Sequence, residues 1–134
     1  MNRLILPLPP SVNGAYKNIR INKRVKTHKA VEFIETAGWL ATEWKRKTDW
    51  IMPDPRQKVI MRVWIWWGNT NRRDPDNIFK LLNDAIKGVL VKDDDVLLPR
   101  VMDFGIDRQN PRVELELEVV KGENGSERSA GISV

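Results

Sequence analysis

Between positions 72 and 95 the chain reads Arg-Arg-Asp-Pro-Asp-Asn-Ile-Phe-Lys-Leu-Leu-Asn-Asp-Ala-Ile-Lys-Gly-Val-Leu-Val-Lys-Asp-Asp-Asp. Carboxylates stand at both ends: Asp74 and Asp76 at the start, Asp93, Asp94 and Asp95 at the close. Three or four converging carboxylates, without histidine or cysteine, suit a hard cation with oxygen ligands, above all Mg²⁺ or Mn²⁺. Uncompensated carboxylates repel one another, so such a cluster needs cations or protons to persist. A metal on two or three aspartates can polarise a phosphodiester and make hydroxide from bound water. Lys80, one turn beyond Asp76, could stabilise charge developing on the scissile phosphate. Arg72 and Arg73 could anchor neighbouring phosphates through paired hydrogen bonds.

Each of these residues also has a plain structural role open to it. Asp74 can be a helix N-cap, Asp76 an acid favoured by the helix dipole, and Asp76–Lys80 a surface i,i+4 pair. Asp93 to Asp95 can be a solvated turn. An EF-hand is excluded, because no glycine falls at the sixth position and no glutamate at the twelfth, counted from Asp74 or Asp93.

The element that must position these groups is the helix between them. Ile78, Leu81, Leu82, Ala85, Ile86 and Val89 recur at i, i+3, i+4, i+7, i+8 and i+11, one apolar stripe of 3.6-residue period. Asp74 suits the N-cap, Pro75 the first helical position, and Gly88 the end. Carboxylates therefore bracket one short helix, and a fold could bring both ends to a common site.

The chain has 134 residues, enough for one domain with a real core. It contains no cysteine, which excludes disulfides, thiolate-bound zinc and iron–sulfur clusters. A single histidine, His28, argues against a Ser-His-Asp triad or a histidine-rich metal site. There is no membrane-length apolar run and no signal-peptide pattern, so a cytoplasmic protein without membrane contact is expected. Net charge is +5 and unevenly spread: residues 1–73 hold fifteen Lys/Arg against five Asp/Glu, residues 74–134 eight against thirteen. A basic half beside an acidic half suits a surface that attracts polyanions next to a site that collects cations.

In chain order, residues 3–8 read as a short strand stopped by Pro7, Pro9 and Pro10, and residues 11–14 as a turn. From 17 to 29 come Lys17, Arg20, Lys23, Arg24, Lys26 and Lys29 with no acidic residue between them. The segment is expected to be an exposed basic loop, a candidate for mobility, that grips phosphates. Residues 29–47 form a helix with Trp39 and Trp44 on it, residues 58–67 the clearest strand, and residues 96–104 a strand broken at Pro99. Residues 112–120 alternate as a half-solvated strand. Residues 122–134 are polar and rich in Gly and Ser, a disordered tail beyond a domain of 1–121. The tryptophans suit core or dimer packing better than base stacking. The order β-α-β-α-β-β implies an α/β or α+β domain, a mixed sheet of about four strands with two helices.

The stretch Arg-Arg-Asp-Pro-Asp-Asn-x-x-Lys, then Asp-Ala-Ile, Gly-Val-Leu and an Asp-Asp, resembles the RusA family of Holliday junction resolvases. The opening Leu-Pro-Leu-Pro-Pro-Ser-Val-Asn-Gly-Ala-Tyr is similar to that family's Pro-Pro-Ser-x-Asn followed by an aromatic. The resemblance spans about residues 4–120. It implies a small homodimeric endonuclease that cuts four-way DNA junctions symmetrically with a divalent cation, Mg²⁺ or Mn²⁺. The family's acids fall on Asp74, Asp76 and one closing aspartate, its essential lysine on Lys80, and flanking motif positions on Arg73 and Asn77. The family shows an acidic doublet before an apolar strand start, which Leu97 and Leu98 match; Asp94 is then the ligand, with Asp93 or Asp95 as alternatives. Arg72, Arg73, Asn77, Lys17, Arg20, Lys23, Arg24 and Lys26 are the DNA-binding candidates. Rival readings are a metal nuclease for other DNA structures and a non-catalytic binder of branched DNA.

Overall fold

In residues 59–67 every second side chain is apolar, and the strand that results is the centre of the molecule. The computed structural model describes residues 2–11, 16–20, 23–71 and 73–121. Its elements are β1 (Leu4–Leu6), β2 (Tyr16–Arg20), β3 (Lys23–Lys26), α1 (His28–Thr48), β4 (Val59–Trp67), α2 (Phe79–Ile86), β5 (Leu97–Ile106) and β6 (Arg112–Val119). A 3₁₀ turn over Pro75–Ile78 leads into α2, and another over Asp94–Val96 leads into β5. The main sheet is mixed and four-stranded, in the order β1-β6-β4-β5. β4 runs antiparallel to β6 and parallel to β5. This is the expected α+β domain with two helices.

One face of the sheet is covered. Val59, Met61, Val63 and Ile65 of β4 are wholly buried, as are Val113 and Leu115 of β6. Against them lie Ile78 of the 3₁₀ turn, α2 through Leu81, Leu82, Ala85 and Ile86, and α1 through Ala30, Phe33, Ala37 and Ala41. The alanines let α1 approach α2 closely: a Cβ on Gly38 would stand 3.5 Å from the Ala85 carbonyl. Each large apolar side chain so buried contributes about 1.5–3 kcal/mol relative to exposure. Thr27 caps α1 by accepting from the Ala30 N–H at 3.3 Å, and Asp49 ends it at φ 57°. No described helix is long and apolar enough to cross a membrane.

Four expectations change. The basic stretch is no irregular loop in its backbone: β2 and β3 pair antiparallel, Tyr16 with Lys26 and Lys17 with Val25. Backbone pairing supplies the hydrogen bonds there whatever the side-chain charge. The central helix begins as a 3₁₀ turn rather than an α-turn. β5 continues through Pro99 to Ile106, because an outer strand tolerates a residue without an N–H. Trp39 is 66% exposed and thus not a core residue. Trp44 and Trp50 do pack on the core, 5.8 Å apart, with the Trp50 indole N–H donating to the Leu90 carbonyl at 2.9 Å. The turn at residues 12–14, the tail 122–134, Arg72 and the side chains of Lys17, Arg20, Lys23 and Arg24 lie outside the described residues.

Candidate nucleic-acid and metal site

The chain leaves β4 at Trp67 and turns through residues 68–74 into the helical segment. Asn69 organises this loop: its side-chain oxygen accepts from the Asn71 N–H at 3.0 Å and from Arg73 Nη2 at 2.6 Å. Arg73 also donates to the Asn71 carbonyl at 3.1 Å and lies 4.7 Å over the Trp67 ring. A stacked, hydrogen-bonded guanidinium is pre-organised, so less is lost when it meets a phosphate.

Asp74 then caps the 3₁₀ turn, one carboxylate oxygen accepting from the Asp76 N–H at 3.0 Å. Pro75 follows at the first position, where its missing N–H costs nothing. Asp74, Asp76, Asn77 and Lys80 are all exposed. No described ion pair closes between Asp76 and Lys80, so the surface-pair role open to them is not the one they take here.

Two sequence motifs more than sixty positions apart meet at this turn. Leu8, Pro9, Pro10 and Ser11 form one wall of a groove whose other wall is Trp67, Arg73, Asp74, Asn77 and Ile78. β1 sits at the sheet edge beside β6, and the prolines after it direct the chain across the mouth of the loop. A second groove lies on the other side of Trp67 and Arg73, bounded by Asn69, Phe104 and Ile106.

The closing aspartates are elsewhere. Asp93 caps the second 3₁₀ turn, accepting from the Asp94 N–H at 2.8 Å, and faces Lys87 at 3.8 Å. The Asp94 N–H first, then a side-chain hydrogen bond with Asp94 and, least, the Lys87 charge hold the Asp93 carboxyl below the usual range against the opposing effect of burial. Asp93 is therefore committed to its turn, while Asp94 beside it is half-buried and Asp95 exposed.

The expectation that the fold brings both ends of the helix together is not met within one chain. In the parallel β4–β5 pair, Val59 faces Leu97 and Trp67 faces Ile106. Asp94 precedes Leu97, while Asp74 shares a groove with Trp67, at the opposite end of β4. Eight residues at ~3.3 Å each put roughly 26 Å between those ends. A crossover between parallel strands must carry its helix back along the sheet, so whatever brackets the helix is separated by its length. Among the described residues no group of three His, Cys, Asp or Glu could hold a metal ion.

Other polar contacts escaped the sequence reading. Lys26, a candidate DNA contact, stands 3.6 Å from Asp84 on α2 and ties the hairpin to the helix. On the uncovered face of the sheet, Arg3 lies 3.5 Å over Trp64 and Arg112 5.3 Å over Trp66. Glu114 joins them, 3.0 Å from Arg3 and 2.7 Å from Arg112, and Asp107 reaches Arg112 at 2.9 Å. Burial raises the Glu114 carboxyl, but the hydrogen bonds and charges of the two arginines outweigh it and hold it below the usual range. The signal in the sequence was the alternation of Glu114, Glu116 and Glu118, which only the β4–β6 register places beside Arg62 and Trp64.

A family model described as endodeoxyribonuclease RusA matches residues 7–118, most of the chain. No curated protein sequence matches it significantly.

Proposed function

The chain belongs to the RusA endodeoxyribonuclease family, and from that premise we propose that it resolves four-way DNA junctions, in recombination and repair, as a homodimer. Each of its two sites hydrolyses one phosphodiester, on opposing strands, with a divalent cation that is Mg²⁺ and for which Mn²⁺ substitutes. The observation that carries this reading is the groove in which the N-terminal Pro9-Pro10-Ser11 wall meets Arg73, Asp74 and Asn77. A DNA substrate puts this activity in the cytoplasm of a bacterial or phage-infected cell.

The donor chemistry fits the cation in part. Mg²⁺ takes one or two carboxylates and fills its other positions with water and substrate phosphate; Asp74 and Asp76, exposed on one turn, are such a pair. When bound, the ion supplies an acidified water and polarises the phosphodiester. Lys80 stabilises the charge that develops on the phosphate. Arg72, Arg73, Asn77 and the basic residues from Lys17 to Lys26 hold the DNA backbone and orient the junction. Asp94 is the third carboxylate, and the strand register keeps it from the Asp74 turn of its own chain, so it comes from the partner subunit. A junction with two-fold symmetry matches a two-fold pair of such sites.

The test is Asp76→Asn. The variant should bind a synthetic four-way junction as tightly as the parent and lose cutting in Mg²⁺. Undiminished cutting by the variant would remove Asp76 from the reaction.

A further inference from the structure

The basic hairpin stands outside the main sheet. β2 and β3 pair with each other, while β1, β6, β4 and β5 make a separate ladder. A lone two-stranded hairpin is marginal in water and takes its place from what it rests on. At its end Lys26 pairs with Tyr16, and Thr27 then caps α1. Among the described residues the hairpin makes one ion pair with the body, and Lys26 makes it. Its ammonium stands 3.6 Å from a carboxylate oxygen of Asp84 on α2.

That oxygen is fully buried, and among the described residues nothing donates a hydrogen bond to it. A carboxylate oxygen cut off from water needs a cation or a donor, and to lack both is costly. The Asp84 side chain is only 18% exposed, which sets this pair apart from the solvated ion pairs of the surface. A second cation lies along the helix. Lys80 precedes Asp84 by one turn of α2, at i and i+4, on the same face. Lysine before aspartate is the weaker order for such a pair, and no described ion pair closes between them. Asp84 takes its cation from the hairpin instead and leaves Lys80 exposed. An acid beside a surface for polyanions repels the ligand, so its place there calls for another use.

We propose that Asp84 is a positioning residue for the DNA grip: through Lys26 it fastens the basic hairpin to α2, the helix that presents Lys80. The inference rests on the functional reading above, and it moves Lys26 from contact with DNA to support of the residues that make it. A hairpin fixed before DNA arrives reduces the ordering cost of binding.

The sign of one substitution tests this. Asp84→Asn removes a negative charge, so charge alone makes the variant bind a polyanion more tightly. Loss of the fastening should instead raise the Kd for a synthetic four-way junction in chelator, roughly threefold to tenfold. Tighter or unchanged binding overturns the proposal. The exchanged pair Lys26→Asp/Asp84→Lys keeps the parent's net charge and the reach of the pair, and it covers misfolding of the single variant. It should return the Kd to within about twofold of the parent, whereas Lys26→Asp alone should not. An exchanged pair as weak as Lys26→Asp alone makes Lys26 a DNA contact and contradicts the fastening. Trypsin gives a readout that needs no DNA. In Asp84→Asn, cleavage within residues 17–24 should quicken about threefold or more, with cleavage after the exposed Arg56 and Arg108 unchanged. Equal rates in parent and variant within the hairpin count against the proposal. A parent that binds no junction refutes the functional reading alone, and the trypsin rates then still decide whether Asp84 holds the hairpin.

Discussion

Two aspartate-led turns bracket α2, and they are built alike. Asp74 and Asp93 each sit extended before a 3₁₀ turn, and each accepts a backbone N–H from the next residue or the one after. Their surroundings differ. The Asp74 turn opens onto a groove walled by the N-terminal prolines, a stacked arginine and an asparagine. The Asp93 turn is closed by Lys87 and delivers the chain into β5. The same local device thus serves a site at one end and an entry to an edge strand at the other. The lesson is that an acidic bracket in sequence marks two ends of a sheet when the element between is a parallel crossover.

The largest effects should come from disabling the two turns in separate chains. Asp76→Asn and Asp94→Asn alone should each lower cleavage on the order of 10³-fold, a loss comparable to removing a principal electrostatic contact. Mixed and re-equilibrated, about half of the dimers contain one of each, with one intact site per pair. Nicking of one strand per junction should return in the mixture. No recovery would place both carboxylates in one chain's site. A smaller effect is expected from Lys80→Ala: cleavage reduced on the order of 10²-fold with junction affinity nearly unchanged. Equal loss of both would make Lys80 a DNA contact.

Between the two turns lies the packing that holds them apart. Leu82 is wholly buried at the centre of the stripe, and Leu82→Ala should cost about 2–5 kcal/mol in urea unfolding. An unchanged midpoint would mean that α2 is not seated on the sheet as described. The smallest effect concerns Asp93. Its carboxyl is held below the usual range, so its contribution is present at neutral pH and lost as the pH falls through its folded value. Asp93→Asn, which still caps but cannot ionise, should flatten the acid limb of the stability profile slightly and leave cleavage at neutral pH alone. Asp74 and Asp76 should show the opposite pattern, with cleavage affected first.

Much of this was legible in the sequence for definite reasons. The alternation of Val59, Met61, Val63 and Ile65 and the stripe from Ile78 to Val89 are periodicities that local geometry enforces, and both elements form where the periods say. Asp74 and Pro75 are capping residues by chemistry alone. What was not legible depends on partners distant in the chain. The hairpin over residues 16–26 was hidden because its strand formers, Tyr16 and Val25 among them, are diluted by cations. The bulge at Met102 and the passage of β5 through Pro99 depend on β4 lying alongside. The place of Asp94 follows from β5 running parallel to β4, which no window of sequence contains. Trp39 and Trp44, five residues apart on one helix, point to different surroundings for the same reason.

The claim at the centre is that this chain is a junction-selective, metal-dependent endonuclease acting in pairs. It is tested most directly by incubating a synthetic four-way junction beside a linear duplex of the same sequence, with Mg²⁺ and with chelator. The account predicts two symmetric nicks in opposing strands of the junction, none in the duplex, and none in chelator. Tight junction binding without cutting under Mg²⁺ and Mn²⁺ would contradict it and leave the acidic turns as structure alone.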